Sequence, residues 1–419
     1  MTHTTAAPDG FLWGASTAGH QIEGGNTNSG HWLLEHAPDT HVEEPSGDAC
    51  DSYHRYGEDI GLLAGAGLNA YRFSLEWARI EPAKGEVSRA QLDHYRRMID
   101  TCRDAGVEPV VTLHHFTVPA WQYQEGGWYA PDVVDRFRFF TETAARILDD
   151  VSWVVTINEP NMMVNQAEAK IDTEWGVNFP GPSPHAAQVI AAAHHASTGV
   201  LRGLGHVRSG WTVANQVYQA VPGYERERDD WGYWREDYFL EQSREDDFVG
   251  VQSYLRTIIG PDGPVPFPDD VERTLTGWEY YPEALGHALR HTRDVTGGVP
   301  MLVTENGMAT SDDARRIDYT TGALSGLADA VDDGCDVRGY LHWSLLDNYE
   351  WGSFRPTFGL IGVDRETFAR APRPSLGWLG DLARRNVLPR TAARPEADAV
   401  FAATVAAPAA TPEPDPTRK

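Results

Sequence analysis

The chain has 419 residues, 41% of them hydrophobic, and a formal net charge of -26. That charge repels nucleic acid and anionic membrane, so neither is expected as a partner. The length allows two or three domains, or one long α/β barrel with a single large core.

Cys50, Cys102 and Cys335 are far apart, odd in number and without CxxC spacing. They read as buried free thiols in a reducing, cytoplasmic setting. Residues 1–10 have neither the basic nor the apolar region of a signal peptide. No run approaches the roughly 18 apolar residues of a membrane span.

The first strand is expected at residues 11–17, exiting into Ala18-Gly19-His20-Gln21-Ile22-Glu23-Gly24. A helix follows at 51–66, with Tyr53, Tyr56, Ile60, Leu63 and Ala64 on one face and Gly65 and Gly67 at its end. The second strand, 69–75, carries Arg72. A guanidinium inside a buried strand requires a permanent anionic partner. A helix at 90–105 precedes the third strand, 108–115, which exits into His114-His115-Phe116. Helix 132–148 leads to the fourth strand, which begins at Trp153 and ends in Asn158-Glu159-Pro160.

Beyond an Ala-rich helix at 184–203 come strands at 208–217 and 247–254, then a helix at 283–295. The seventh strand runs through the apolar Met301-Leu302-Val303 and stops at Thr304-Glu305-Asn306-Gly307. A helix at 319–332, an eighth strand at 337–346 and a last helix at 376–385 complete the pattern. Strands alternating with helices in this number predict a single-domain (β/α)8 TIM barrel over residues 1–389. Residues 390–419 are rich in Ala, Pro and Thr and read as a loosely ordered tail.

In such a barrel the C-terminal strand ends form one rim, where catalytic groups sit. Glu159 and Glu305 both fall there, and a carboxylate at the mouth of a buried strand is costly unless bonded or used. Paired carboxylates are the usual equipment for cleaving a glycosidic bond: one protonates the departing oxygen, the other attacks the anomeric carbon or activates water. Arg72, His115, Asn158 and Glu350 stand at strand exits beside them.

The motifs FLWGAST with HQIEGG, YRFSLEWARI, TLHHFTVP, TINEP, DFVGVQSY, GWEYYPEAL, LVTENG and WSLLDNYEW ending in FGL follow one another in this order. From about residue 11 to 385 the chain resembles family 1 glycoside hydrolases, the β-glucosidase and β-galactosidase group. The resemblance implies a retaining β-glycosidase acting on terminal β-glycosides, with β-glucosides as the leading substrate and β-galactosides or β-fucosides as alternatives. It makes Glu159 the general acid/base and Glu305 the nucleophile. It also implies that Arg72 and Tyr254 lower the pKa of Glu305, and that Asn158 bonds the sugar 2-hydroxyl. Gln21, His115, Trp343, Glu350 and Trp351 match positions that bind the sugar hydroxyls and stack on the ring. Neither metal nor other cofactor is expected.

Some residues depart from the family pattern. Gln252 stands where many members have Asn, and Phe116 replaces a frequent Trp. The loop after Trp351 is about a residue short, and little room remains for insertions between Asn161 and His185. These changes bear on glycone choice and suggest an open aglycone side. The 6-phospho branch carries a Ser-Lys-Tyr grip where this chain reads Gly352-Ser353-Phe354-Arg355-Pro356-Thr357-Phe358, so that substrate class is set aside. His114 reads as a packed neighbour, and Trp128, Trp175, Trp231 and Trp234 as packing or aglycone-side residues. A transglycosidase using an alcohol or sugar acceptor is the alternative enzyme, and a non-catalytic sugar-binding barrel the remote one. A lysine-dependent lyase or aldolase barrel is disfavoured because Lys84 and Lys170 fall in loops or helices.

Overall fold

The computed structural model describes residues 3–40, 42–166, 181–392, 400–402 and 405. Trp175, Lys170 and most of the expected tail lie outside them.

Eight parallel strands close into a barrel. They are β1 (Leu12–Ser16), β2 (Ala70–Ser74), β3 (Glu108–His114), β4 (Trp153–Asn158), β5 (Arg208–Asn215), β6 (Val249–Ser253), β7 (Met301–Glu305) and β8 (Val337–Trp343). Each lies beside its successor in sequence, and β8 lies beside β1. Helices on the outside join them: α1 (Ser52–Ala66), α2 (Arg89–Asp104), α3 (Val133–Ala144), α4 (Pro184–Arg202), α5 (Asp237–Gln242), α6 (Ala284–Thr296), α7 (Asp313–Asp332) and α8 (Pro374–Arg385). The fold expected from the pattern is the fold observed.

The strands are buried on both faces, which is why they read as apolar runs rather than as alternation. Their outward residues, such as Tyr71, Phe73, Val111 and Leu113, pack with the helices in the main core. A second cluster is made by Ala70, Val110, Trp153, Val155, Phe248, Leu302 and Leu341, with Leu12 against it. Two residues further along the same strands, and so on the same face, come Arg72, Thr112, Thr304 and Trp343. The inner face thus turns from apolar to polar towards the C-terminal rim.

Three features were not anticipated. Helix α7 starts at Asp313 rather than 319, capped by the Asp312 side chain, which accepts from Ala314 N at 3.0 Å. Its first turn is polar and gives little apolar periodicity, yet Arg316 is buried there and donates to the Thr310 and Thr357 carbonyls. The connection from β5 to β6 holds α5, a further helix at Glu225–Gly232, and part of a three-stranded sheet built from Tyr218–Ala220, Thr257–Gly260 and Gly263–Pro264. Finally, His3–Ala6 pairs antiparallel with Val387–Arg390.

Ile361–Val363 and Arg370–Pro372 form an antiparallel hairpin after β8, and a buried ion pair ties it to α1. Arg370 donates to Asp59 through Nε (2.7 Å) and Nη2 (3.0 Å), and Ser52 Oγ donates to the same carboxylate at 2.6 Å. Both charged side chains are nearly inaccessible, at 1% and 0% exposure. Asp59→Ala strands the guanidinium, and is expected to lower unfolding free energy by about 3–5 kcal/mol in denaturant titration. A change under about 1 kcal/mol would mean that water reaches Arg370 and that the pair does not secure the hairpin.

Candidate active site

Arg72 sits in the middle of β2 and is fully buried. Its guanidinium forks across the barrel. Nη1 donates to Glu305 Oε1 at 2.6 Å, Nη2 to Asn158 Oδ1 at 2.5 Å, and Nε to Thr112 Oγ1 at 2.9 Å. Tyr254, one residue past β6, donates its hydroxyl to the other Glu305 oxygen at 2.8 Å. Asn158 Oδ1 also accepts from Gln252 Nε2 (2.9 Å) and Thr212 Oγ1 (3.2 Å). The anionic partner that Arg72 requires is Glu305, the last residue of β7.

Glu159 follows β4 directly and is only partly exposed. Its φ is +44°, a left-handed conformation that non-glycine residues rarely adopt. Phe116 (+64°) and Trp351 (+52°), also past strand ends, share it. The β4–β5 register slips between Val155 and Asn158, and the β7–β6 register between Val303 and Glu305. Such irregularities re-aim side chains at barrel rims. Gly307 is required by close approach: a Cβ there would meet the Trp343 carbonyl oxygen at 2.0 Å.

The two carboxyls differ in electrostatic surroundings. Burial lifts Glu159 well above the usual carboxylate range, the Glu305 charge lifts it further, and Arg72 only partly offsets this. Glu305 is raised too, by burial, against the lowering effects of Arg72 and Tyr254. Both groups lower the Glu305 pKa, and burial outweighs them. The order of the pair stands, because Glu305 alone holds the guanidinium and the phenol.

The remaining anticipated residues converge on the same rim. His115, one past β3, is buried and held neutral, its pKa lowered by burial and then by Arg72. Its ring lies nearly parallel to Trp343 (6.0 Å, 18°) and Trp351 (6.1 Å, 14°). Trp343, last in β8, is 4% exposed and packs with Ala18, Ala309 and Phe358. Its indole N–H reaches Glu350 Oε1 at 3.2 Å, so it serves both core and site. Gln21 Nε2 donates to Asn348 Oδ1 (2.9 Å) and the Tyr349 carbonyl (2.8 Å), while its Oε1 has no partner among the described residues.

Glu350 is pushed up to about 8, chiefly by burial and then by Glu305. Near neutrality it carries a proton, and so offers a donor as well as acceptor oxygens. The missing Lys and Tyr remain the ground for setting aside 6-phosphoglycosides, and Arg355 is exposed.

His114 packs outside the barrel, edge-on to Trp128 (5.2 Å) and Phe137 (6.0 Å). Trp128 and Trp234 pack against the main core, and the Trp231 ring lies under Arg235 at 3.8 Å. Lys84 lies in a turn and pairs with Glu125 and Asp132.

Thr112 and Thr212 were missed, and Gln252 was noticed only as a departure. The available signal was geometric: Thr112 shares the inward face with Arg72, and Thr212 is the β5 partner of Asn158.

A further cluster was not foreseen. One ligand atom from each of His20, His31 and Glu35 lies within 4.8 Å of the others. By composition this trio suits a metal. Its hydrogen bonds say otherwise. Asn26 Nδ2 is fixed as a donor by Glu76 (2.7 Å) and also donates to His20 Nδ1 (3.1 Å). His20 therefore carries its proton on Nε2 and gives it to Glu35 at 2.9 Å. The trio supports the pocket wall, with the His20 ring parallel to Trp351 (5.9 Å, 2°) and His31 edge-on to it (5.0 Å, 81°).

Known proteins resemble this chain over most of its length. The family model described as glycosyl hydrolase family 1 matches residues 3–217 and 247–388. Thermostable beta-glucosidase B of Thermobispora bispora is 34% identical, over 91% of this chain and 91% of its own length. Among solved structures, beta-glycosidase BGL167 superposes with a TM-score of 0.83 at 43% identity, covering 93% of this chain and 99% of that one. A beta-glucosidase from Thermotoga maritima in complex with glucoimidazole gives 0.82 at 28% identity, covering 91% and 99%.

The electrostatic coupling is directly measurable. Glu305→Gln removes the charge that helps to lift Glu159, so the Glu159 carboxyl should titrate at lower pH in the variant. Carbon-13 NMR of labelled Glu would follow it. An unmoved Glu159 would show that burial alone sets its pKa.

Proposed function

The chain belongs to glycosyl hydrolase family 1, and on that premise we propose that it cleaves terminal β-glucosides with retention of anomeric configuration. The observation that carries this reading is the asymmetric carboxyl pair. Arg72 and Tyr254 favour the ionised form of Glu305, while Glu159 has burial and a neighbouring negative charge to keep its proton.

Glu305 attacks the anomeric carbon as Glu159 protonates the glycosidic oxygen. The bond from C1 to that oxygen breaks, the aglycone leaves as an alcohol, and a glycosyl ester forms on Glu305. Glu159, now ionised, takes a proton from water, which attacks C1 and expels the Glu305 carboxylate. Arg72 and Tyr254 stabilise that leaving carboxylate. The buried Asn158 Nδ2, unpartnered among the described residues, donates to the 2-hydroxyl. Gln21 Oε1 accepts from a more distant hydroxyl, Glu350 both donates and accepts, and His115, Trp343 and Trp351 wall the ring.

The substrate is a small-molecule β-glycoside. A cytoplasmic setting suits three buried cysteines that all remain free thiols. No helix among the described residues is long and apolar enough to cross a membrane.

Substitution with azide rescue tests the assignment. Wild type should turn over nitrophenyl β-glucoside. Glu305→Ala should be inactive alone and give the inverted α-glucosyl azide when azide is added. Glu159→Ala should lose about 10²–10⁴-fold on substrates with poor leaving groups, and give β-glucosyl azide from activated ones. Inverted sugar as the first product of wild type would refute double displacement.

The pH profile tests the proton assignment. Raised Glu159 predicts that the basic limb of kcat/KM lies above the ordinary carboxylate range, because activity is lost only when that proton leaves. A limb near the usual carboxylate pKa would remove Glu159 as the acid.

A further inference from the structure

Asn158 Oδ1 accepts from three directions: Arg72 Nη2 at 2.5 Å, Gln252 Nε2 at 2.9 Å and Thr212 Oγ1 at 3.2 Å. A carbonyl oxygen has two lone pairs, so this acceptor is saturated. The amide orientation follows. A flipped Asn158 would turn its NH₂ towards the Arg72 N–H. In the observed orientation Asn158 Nδ2 is buried and has no partner among the described residues.

The three donors differ in what else they do. Arg72 also binds Glu305, so changing it disturbs nucleophile and asparagine together. Gln252 makes no hydrogen bond to the Glu305 carboxylate, whose partners are Arg72 and Tyr254. It is nonetheless rigidly placed. It is 1% exposed, stands opposite Glu305 in the β7–β6 register and opposite Ala214 in the β5–β6 register, and its backbone N–H reaches Asn215 Oδ1 at 3.4 Å. Donation into a carbonyl oxygen also polarises the amide and strengthens its own N–H donors, since chains of hydrogen bonds are cooperative.

We propose that Gln252 is a positioning residue for glycosyl transfer: through Asn158 it orients and polarises the donor that meets the sugar 2-hydroxyl. This rests on the glycosidase reading and gives the Asn-to-Gln departure at this position a task. An asparagine at 252 is one methylene, about 1.5 Å, shorter than the glutamine that makes this contact. The contact strengthens as charge develops at C1, so its loss falls on kcat rather than on KM.

The experiment compares β-glucoside with 2-deoxy-β-glucoside as nitrophenyl substrates, in wild type, Gln252→Met and Thr212→Val. Methionine conserves volume and removes the donor; valine removes only the hydroxyl. Thermal unfolding shows that each variant is folded. Loss of one hydrogen bond, of order 1 kcal/mol, corresponds to about a five-fold fall in kcat for the glucoside. The 2-deoxy substrate should change less than about two-fold, because it has no 2-hydroxyl to lose. Thr212→Val should move the same ratio by less, and carries the test if the Met variant does not fold. Equal falls on both substrates, or none on either, overturn the positioning role and leave the glycosidase reading intact. A wild type inert on both substrates overturns that reading, and this proposal with it.

Discussion

A buried guanidinium in a barrel strand constrains everything around it. Arg72 is inaccessible to water, so its charge must be compensated and its N–H groups satisfied inside the barrel. It meets this through Glu305, Asn158 and Thr112, which come from β7, β4 and β3. One side chain therefore fixes the relative positions of four strand ends. The apolar plug beneath it, which includes Leu302 and Leu341, keeps water from reaching the pair from below. Closure of the barrel and placement of Glu305 are one problem with one solution.

The same arrangement separates the two carboxyls. Both are desolvated, and desolvation alone would favour protonating each. They cannot share an environment and still hold different tasks. Arg72 and Tyr254 reach Glu305, whereas Glu159 feels the Arg72 charge without bonding to it and lies close enough to Glu305 to be raised by its charge. The proton goes to the carboxyl with the weaker claim to a cation. Burial supplies the general upward push, and the unequal reach of one guanidinium supplies the difference.

The barrel was legible because its strands are continuous apolar runs ending abruptly in polar residues. The pair Glu159 and Glu305 was legible for the same reason: each breaks such a run. The β5–β6 connection was not, since the Glu225-Arg226-Glu227-Arg228 stretch has no apolar face and its helix is ordered by what it touches. Thr112, Thr212 and Gln252 were obscure because a strand residue's partner depends on register across the barrel, which one sequence does not print. The net direction of the Glu305 shift was not legible, because the burial that opposes Arg72 and Tyr254 depends on the closed barrel. The His20–His31–Glu35 trio escaped notice because it serves Trp351 from behind the pocket wall.

The rim shows where regularity had to yield. A barrel of ideal strands would point successive side chains strictly in and out, and Asn158 and Glu159, adjacent in the chain, would face opposite ways. The proposed mechanism asks for both on one side of a sugar ring: one at the 2-hydroxyl, one at the glycosidic oxygen. The slipped β4–β5 register beside Asn158 and the left-handed backbone at Glu159 reconcile these demands. A residue held in that conformation costs of order 1–3 kcal/mol, and the surrounding bonds must over-determine it. The triple donation into Asn158 and the Glu159 N–H bond to the Thr212 carbonyl at 2.9 Å do so from both sides of the kink. Thr212 belongs to both sets, accepting from one residue of the pair and donating to the other. Its β5 strand end is thus the surface against which the bend in β4 is set.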